Sequence, residues 1–256
     1  MQVTLQTFII VCPLIFLAGF IDSIAGGGGL ISLPAYLFAG FPVHFAYGTN
    51  KFSSAIGTVF STYRFIKNKQ YHMKTAAYSV ISALIGSYLG ARAALMLSDI
   101  YLQYCLIVLL PIIAIFLLTR RNFGEKNNEE IQLSDKKIII LSILSGLIIG
   151  AYDGFFGPGT GTFLILTYTG LMGFSMTMAA GNAKLVNLAS NIAALFTFLA
   201  GGKIMFLVGI PAAFFGILGH WIGSGLALKN GSKIIKPVLV VVFILLFVKI
   251  GMDLFN

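Results

Sequence analysis

The stretch "DSIAGGGGLISLP" at residues 22–34 places four consecutive glycines and an aspartate inside an otherwise apolar N-terminal region. That region, residues 4–40, would extend roughly 55 Å as a single helix, well beyond a hydrocarbon core of ~30 Å. It is also a few residues too short for two complete crossings and a turn. Residues 137–174 form a second stretch of similar length, which "FGPGTGT" interrupts in the same way. Each long apolar segment therefore contains a glycine-rich break near its middle.

The composition indicates an all-α integral membrane protein. Hydrophobic residues make up 58% of the chain and charged residues 10%, and the mean hydropathy is +0.95. Soluble domains carry about 25% charged residues. The net charge of +9 does not predict nucleic-acid binding, because Lys and Arg lie mostly in short loops between apolar segments. Besides the two interrupted stretches, six segments are predicted to span the membrane: 43–66, 75–97, 101–119, 177–200, 203–228 and 234–254.

The positive charges predict the topology. Basic residues cluster in the loops at 64–74, 120–137 and 229–236, which places these loops in the cytoplasm, and the links at 97–101 and 200–203 outside. Segment 137–174 must then cross the membrane an even number of times. We expect a re-entrant hairpin whose helical arms meet at the glycines and whose ends are both cytoplasmic. By the same count the first segment, 4–40, enters and leaves from outside, and both chain termini are extracytoplasmic.

The two halves of the sequence resemble each other. "GFIDSIAGGGG" at 19–29 aligns with "GAYDGFFGPGT" at 150–160, "GTNK" at 48–51 with "GNAK" at 181–184, and "GSYLGARAAL" at 86–95 with "GHWIGSGLAL" at 219–228. The offset stays at 131–133 residues throughout. The prediction is eight membrane segments in two inverted repeats of four, residues 1–119 and 137–256, joined by a charged cytoplasmic linker at 120–136. Inverted repeats with helices broken in the membrane are typical of secondary transporters, which bind substrate where the breaks meet.

The groups around the breaks predict an anion site. The second arm of each hairpin starts inside the protein, and its free N–H groups and helix dipole favour a negative charge. Two lysines lie about eight residues into their spans, where a charge needs a partner or a cavity. We expect no metal and no cofactor. The candidate substrate-binding residues are Gly26, Gly27, Gly28, Gly29, Thr49, Asn50, Lys51, Gly157, Gly159, Thr160, Gly161, Asn182, Lys184, Asn187 and Asn191.

Four other charged or titratable residues have roles that the sequence leaves open. Asp22 and Asp153 precede the breaks and could cap them, pair with a lysine of either half or titrate as proton-coupling groups. A structural ion pair of this kind is the alternative to two free lysines that bind an anion. His220 and Arg92 lie beside aligned glycines. The favoured role of His220 is a hydrogen-bonded structural one, with proton transfer as the alternative.

The four motifs "GFIDSIAGGGGLISLP", "GTNKFSSAIGT", "GAYDGFFGPGTGTF" and "GNAKLVNLASN", in this order, resemble the sulfite exporter TauE/SafE family. The resemblance covers nearly the whole chain. It implies a multi-pass transporter, usually dimeric, in the cytoplasmic membrane of a bacterium or archaeon. The implied substrates are oxysulfur or organosulfur anions such as sulfite and sulfoacetate. By motif match, the glycine breaks, Asn50, Lys51, Asn182 and Lys184 are expected to contact the substrate.

Three functions follow from the sequence in order of preference. The first is a secondary transporter in which one repeat rocks against the other to give alternating access to a small, sulfur-containing anion. The second is an anion channel with the same lining. The third, an intramembrane hydrolase, would need a nucleophile beside a base. Ser23, Ser32 and His220 are the available groups, but no motif aligns them, so we expect no enzyme.

Overall fold

The computed structural model describes residues 3–102, 104–105, 133–235 and 237–238, and no strand occurs among them. The two ranges 3–102 and 133–235 contain the helices that surround the predicted site. These helices are α1 (Leu5–Ala25), α2 (Gly29–Phe38), α3 (Val43–Lys67), α4 (Met73–Met96), α5 (Asp135–Phe155), α6 (Thr160–Met172), α7 (Met176–Ala200) and α8 (Phe206–Asn230).

Both long apolar segments are broken at the predicted glycines. Gly26 ends α1 in the left-handed region with φ of 79°, and Gly159 precedes α6 with φ of 83°. A side chain is strained in that region, so glycine is the residue that permits each break. The arms are unequal. The first arms, α1 and α5, have 21 residues each and extend about 31 Å, whereas α2 with 10 and α6 with 13 residues extend about 15–20 Å.

Of the helices described, α1, α4, α5, α7 and α8 are long and apolar enough to cross a membrane. The predicted span 43–66 corresponds to α3, which has 25 residues but is not among these five. Its many hydroxyl and amide side chains lower its hydropathy, and most of them are buried against other helices. The predicted spans 101–119 and 234–254 lie almost entirely outside the described residues.

Glycine contacts hold the long helices together in two pairs, α1 with α8 and α4 with α5. A Cβ placed on Gly219 of α8 would lie 2.2 Å from the carbonyl oxygen of Phe16 in α1. A Cβ on Gly86 of α4 would lie 2.2 Å from the carbonyl oxygen of Leu147 in α5. Membrane helices approach this closely only where residues are small. Helices α3 and α7 contact each other and these two pairs, so they lie at the centre of the bundle.

Candidate functional site

The two breaks meet in the interior of the protein. A Cβ on Gly26 would lie 2.2 Å from the carbonyl carbon of Gly161, and one on Gly29 would lie 2.9 Å from the Cα of Pro158. A cavity of about 30 Å³ adjoins this junction. Irregular backbone is tolerated at membrane depth where protein or a water-filled cavity surrounds it. The polar residues that line the cavity are Asp22, Ser32, Asn50, Lys51, Ser53, Ser54, Asp153, Thr160, Asn187, Asn191 and His220. The glycines that line it are Gly19, Gly26, Gly28, Gly29, Gly157 and Gly216.

The aspartate of the first break is paired with the lysine of the second half. Lys184 Nζ lies 2.7 Å from Asp22 Oδ2 and also donates to the Asp22 backbone carbonyl. Asn187 Nδ2 donates to the same carboxylate over 3.3 Å, and the backbone N–H of Gly28 donates to Oδ1 over 3.3 Å. The Lys184 side chain is fully buried. The Asp22 carboxylate therefore already lies at the start of α2, where an anion is favoured.

The aspartate of the second break is paired with the lysine of the first half. Lys51 Nζ lies 2.7 Å from Asp153 Oδ2, and both side chains are 3% exposed. Ser190 Oγ donates to Oδ2 over 2.5 Å, and Thr160 Oγ1 donates to Oδ1 over 2.8 Å. Thr160 is the first residue of α6, so this carboxylate also occupies the start of a broken helix.

Two asparagines of α7 connect the ion pairs. Lys51 Nζ donates to Asn191 Oδ1 over 3.1 Å, and Asn191 Nδ2 donates to Asn187 Oδ1 over 3.3 Å. Asn187 in turn donates to Asp22. The two asparagines are four residues apart, which places both side chains on one face of the helix. A continuous hydrogen-bonded chain thus joins the carboxylates of the two breaks.

The lysines differ in their access to the cavity. Lys51 lines it, whereas Lys184 is absent from the lining and lies behind Asp22. Each lysine is compensated by an aspartate, so the two pairs carry no net charge. An incoming anion would therefore meet one ammonium group and would compete with a carboxylate for it.

The remaining predicted residues occupy different positions. Thr49 Oγ1 accepts from the backbone N–H of Met205 over 3.0 Å, just before α8, and Asn182 Oδ1 accepts from the N–H of His72 over 3.3 Å, just before α4. Neither residue lines the cavity. Gly27, Gly159 and Gly161 belong to the breaks but do not line it either.

His220 and Arg92 have unequal relations to the centre. His220 lines the cavity, and its Nδ1 lies 3.1 Å from Ser61 Oγ, an arrangement that matches a hydrogen-bonded histidine. Arg92 is exposed near the end of α4, where its guanidinium lies 5.9 Å from the centre of the Tyr88 ring. It lines a separate groove between α4 and α7.

Sequence reasoning missed several hydroxyl groups at the centre, above all Ser190, which binds Asp153. A signal was present, because Ser190 lies three residues after Asn187 and so shares its helix face. Ser54 was also missed, although it aligns with Asn187 at the repeat offset of 133 residues. Its Oγ lies 3.4 Å from Asn50 Oδ1.

Ser32 lines the cavity together with His220, but among the described residues no hydrogen bond joins Ser23 or Ser32 to that histidine. Ser23 Oγ donates to the backbone carbonyl of Phe20. Ser61, which does contact His220, is fully buried and is not part of the cavity lining.

Broken helices around buried charged groups are typical of membrane transporters. Within that class, the chain belongs to the sulfite exporter TauE/SafE family, which matches residues 11–250. The resemblance seen in the sequence is thereby confirmed, and the chain is a multi-pass membrane transporter.

Relatives from several bacteria are similar over most of their length. Over 237 residues, 93% of this chain, the sequence is 34% identical to "Probable membrane transporter protein YfcA" of Escherichia coli K12, of which 87% is covered. Over 238 residues, also 93% of this chain, it is 36% identical to "Probable membrane transporter protein ORF9" of Sinorhizobium sp., of which 90% is covered. No solved structure matches the chain.

Proposed function

We propose that this chain is a secondary transporter that carries a small anion across the cytoplasmic membrane by alternating access. The observation that carries the proposal is the cavity at the junction of the breaks, where Lys51 and the starts of two helices face the same space. An ammonium group and helix N-termini both favour an anion. Asn50, Asn187 and Asn191 add neutral hydrogen-bonding groups to the lining.

The proposed substrates are oxysulfur anions and organosulfonates. The name of the family, sulfite exporter, supports this class. The chemistry of the lining agrees with it, because a sulfite or sulfonate group presents several oxygen acceptors and the asparagine amides and Lys51 can donate to them.

The size of the cavity favours a carrier over the second candidate, an anion channel. A volume of about 30 Å³ holds about two water molecules, since one requires roughly 10–15 Å³. A sulfonate is larger, so the surrounding helices have to separate before it binds. Recordings from a planar bilayer distinguish the two candidates, because single-channel currents in an anion gradient would contradict a carrier.

We also propose that the described helices belong to two inverted repeats, α1–α4 to the first and α5–α8 to the second, which the reciprocity of their contacts supports. Gly219 contacts Phe16 in the same way as Gly86 contacts Leu147, and each lysine pairs with the aspartate of the other half. Residues 16 and 147 are 131 apart, and residues 86 and 219 are 133 apart, which are the offsets of the sequence repeat. A two-fold relation between the halves accounts for all these pairs.

Anion binding to the purified protein tests the function. Sulfite, sulfoacetate and methanesulfonate are added separately, and stabilisation against thermal unfolding reports binding through mass action. Lys51→Ala is expected to weaken binding about 10- to 100-fold, because a hydrogen bond to a charged group contributes ~1.5–3 kcal/mol.

Lys74→Ala is the matched control, since Lys74 forms an exposed ion pair with Asp135 and lies outside the cavity. It is expected to bind the anion with the affinity of the wild type. Unchanged affinity in Lys51→Ala would refute the assignment of the site, and absence of binding by all three anions to the wild type would refute the function.

A further inference from the structure

The two buried carboxylates differ in the chemistry of the groups that hold them. The side chain of Asp22 is bound by the Lys184 ammonium, the Asn187 amide and the Gly28 backbone N–H. The ammonium and the backbone N–H can only donate a hydrogen bond, and the Asn187 amide presents its NH2 group to Asp22 because its oxygen accepts from Asn191. A protonated Asp22 would point its own hydrogen at these donors and find no acceptor among them. These partners match an ionised carboxylate better than a protonated one.

Asp153 has hydroxyl partners instead. Apart from Lys51, its side chain is bound by Ser190 and Thr160. A hydroxyl group donates and accepts equally well. Each hydroxyl also has a second acceptor within reach, because Ser190 Oγ lies 3.1 Å from the carbonyl oxygen of Asn187 and Thr160 Oγ1 lies 2.7 Å from that of Gly157. Both hydroxyls can therefore turn to those carbonyls and accept a hydrogen bond from a protonated Asp153.

The cavity is lined by both aspartates but by the lysine of the second pair alone among the two pairs. Lys51, the partner of Asp153, lines the cavity, and Lys184 does not. An anion that enters the cavity consequently competes with Asp153 for Lys51 and leaves the Asp22 pair intact. Without compensation, the displaced carboxylate and the anion would together leave a net charge of −1 in the membrane interior, which is costly.

We propose that Asp153 is the proton-coupling group of this transporter: it takes up one proton when an anion replaces it at Lys51. The empty site contains the ammonium of Lys51 and the carboxylate of Asp153, with no net charge. The loaded site contains the ammonium, a monovalent anion and a neutral Asp153, again with no net charge. The proton comes from the water that admits the anion and leaves with it, so one proton moves with each anion. This inference rests on the proposed function and identifies its coupling ion.

Few other groups of the described residues could take the proton in place of Asp153. The charged residues of the cavity lining are Asp22 of α1, Lys51 of α3 and Asp153 itself, and its titratable neutral residue is His220 of α8. Lys184 of α7 lies behind Asp22, and Tyr152 precedes Asp153 on α5. Helices α2 and α6 contribute only uncharged residues to the lining, and α4 contributes none.

Counting protons during anion binding tests the inference. Methanesulfonate, a monovalent anion, is added to wild-type protein in weakly buffered detergent solution near neutral pH, where its sulfonate group does not change its charge. The rise in pH is then titrated back. We expect about one proton taken up per bound anion, together with a new infrared band from the carbonyl stretch of a protonated carboxyl group. Anion binding without proton uptake would overturn the inference and leave the proposed function standing.

Two variants identify the group. Asp153→Asn is expected to bind the anion at least as tightly as the wild type, without proton uptake and with little dependence on pH, because the competing charge is gone. Lys74→Ala, the control, keeps the wild-type proton count. Continued proton uptake by Asp153→Asn would overturn the assignment. If Asp153→Asn fails to fold, Asp22→Asn together with Lys184→Met serves in its place: loss of proton uptake and of the infrared band in that variant would overturn the assignment to Asp153, and their retention supports it. Absence of any anion binding by the wild type overturns the proposed function and this inference together.

Discussion

The pair of Lys184 and Asp22 gives the sharpest prediction about stability. Lys184 is fully buried, and its ammonium is the only positive charge that bonds directly to Asp22 among the described residues. Lys184→Met removes that charge and leaves a buried carboxylate with two neutral donors, Asn187 and Gly28. Removal of one partner from a buried pair costs about 3–5 kcal/mol. We expect a loss of this size in the free energy of unfolding.

The partner substitution tests the cause. Asp22→Asn together with Lys184→Met removes both charges, and replacement of a whole buried pair is often close to neutral. The double variant is therefore expected to recover most of the loss. Reversible unfolding in mixed micelles titrated with SDS measures the free energy of unfolding of the wild type, the two single variants and the double variant. Losses that simply add in the double variant would show that the two residues do not interact, which would refute the ion pair.

Three further predictions concern packing and the surface. Gly219→Ala places a Cβ 2.2 Å from the carbonyl oxygen of Phe16 and should prevent α1 and α8 from packing. Gly216→Ala is the control and should be tolerated, because the atom nearest to its Cβ is 3.4 Å away. The yield of monodisperse protein compares the two variants. Asn191→Ala interrupts the chain between the ion pairs and should lower the free energy of unfolding by about 1–3 kcal/mol. Lys74→Ala removes an exposed ion pair and should leave the free energy of unfolding nearly unchanged, and a clear loss would contradict the exposed position.

Some features of the fold and the site could be predicted because they depend on local sequence. Glycine runs mark both breaks, since left-handed backbone at Gly26 and Gly159 excludes most other residues. The long helices follow from apolar length. The predicted span 43–66 corresponds to α3, which is less apolar than the five long helices because its buried polar residues face the centre of the protein and not lipid.

The pairing of the charges could not be obtained from the sequence. Asp22 and Asp153 could each have paired with a lysine of either half, and only the three-dimensional packing selects Lys184 for one and Lys51 for the other. The same packing brings Ser190 to Asp153. The unequal access of the two lysines also has no local signal, since "GTNK" and "GNAK" are nearly equivalent motifs. It arises because the packing leaves Lys51 at the cavity and places Lys184 behind Asp22.

The glycine contacts also indicate which helices move together during transport. The sequence predicts that one repeat rocks against the other, yet α1 and α8 fall in different predicted repeats and contact each other through their backbones. Packed backbones of this kind do not slide continuously. We therefore expect α1 to move with α8, and α4 with α5, as two bodies around the central α3 and α7.

Spin labels at exposed helix ends test this grouping. Cys12 and Cys105 are first changed to serine or alanine, and the resulting protein is checked for anion binding. Two cysteines are then introduced per variant, at Leu5 of α1 and Leu207 of α8, or at Leu5 of α1 and Met96 of α4, all of which are exposed. Pulsed electron paramagnetic resonance then measures each distance with and without sulfoacetate. The distance between positions 5 and 207 should stay constant, and that between positions 5 and 96 should change. The opposite result would mean that each repeat moves as one body and that the contact between α1 and α8 separates during transport.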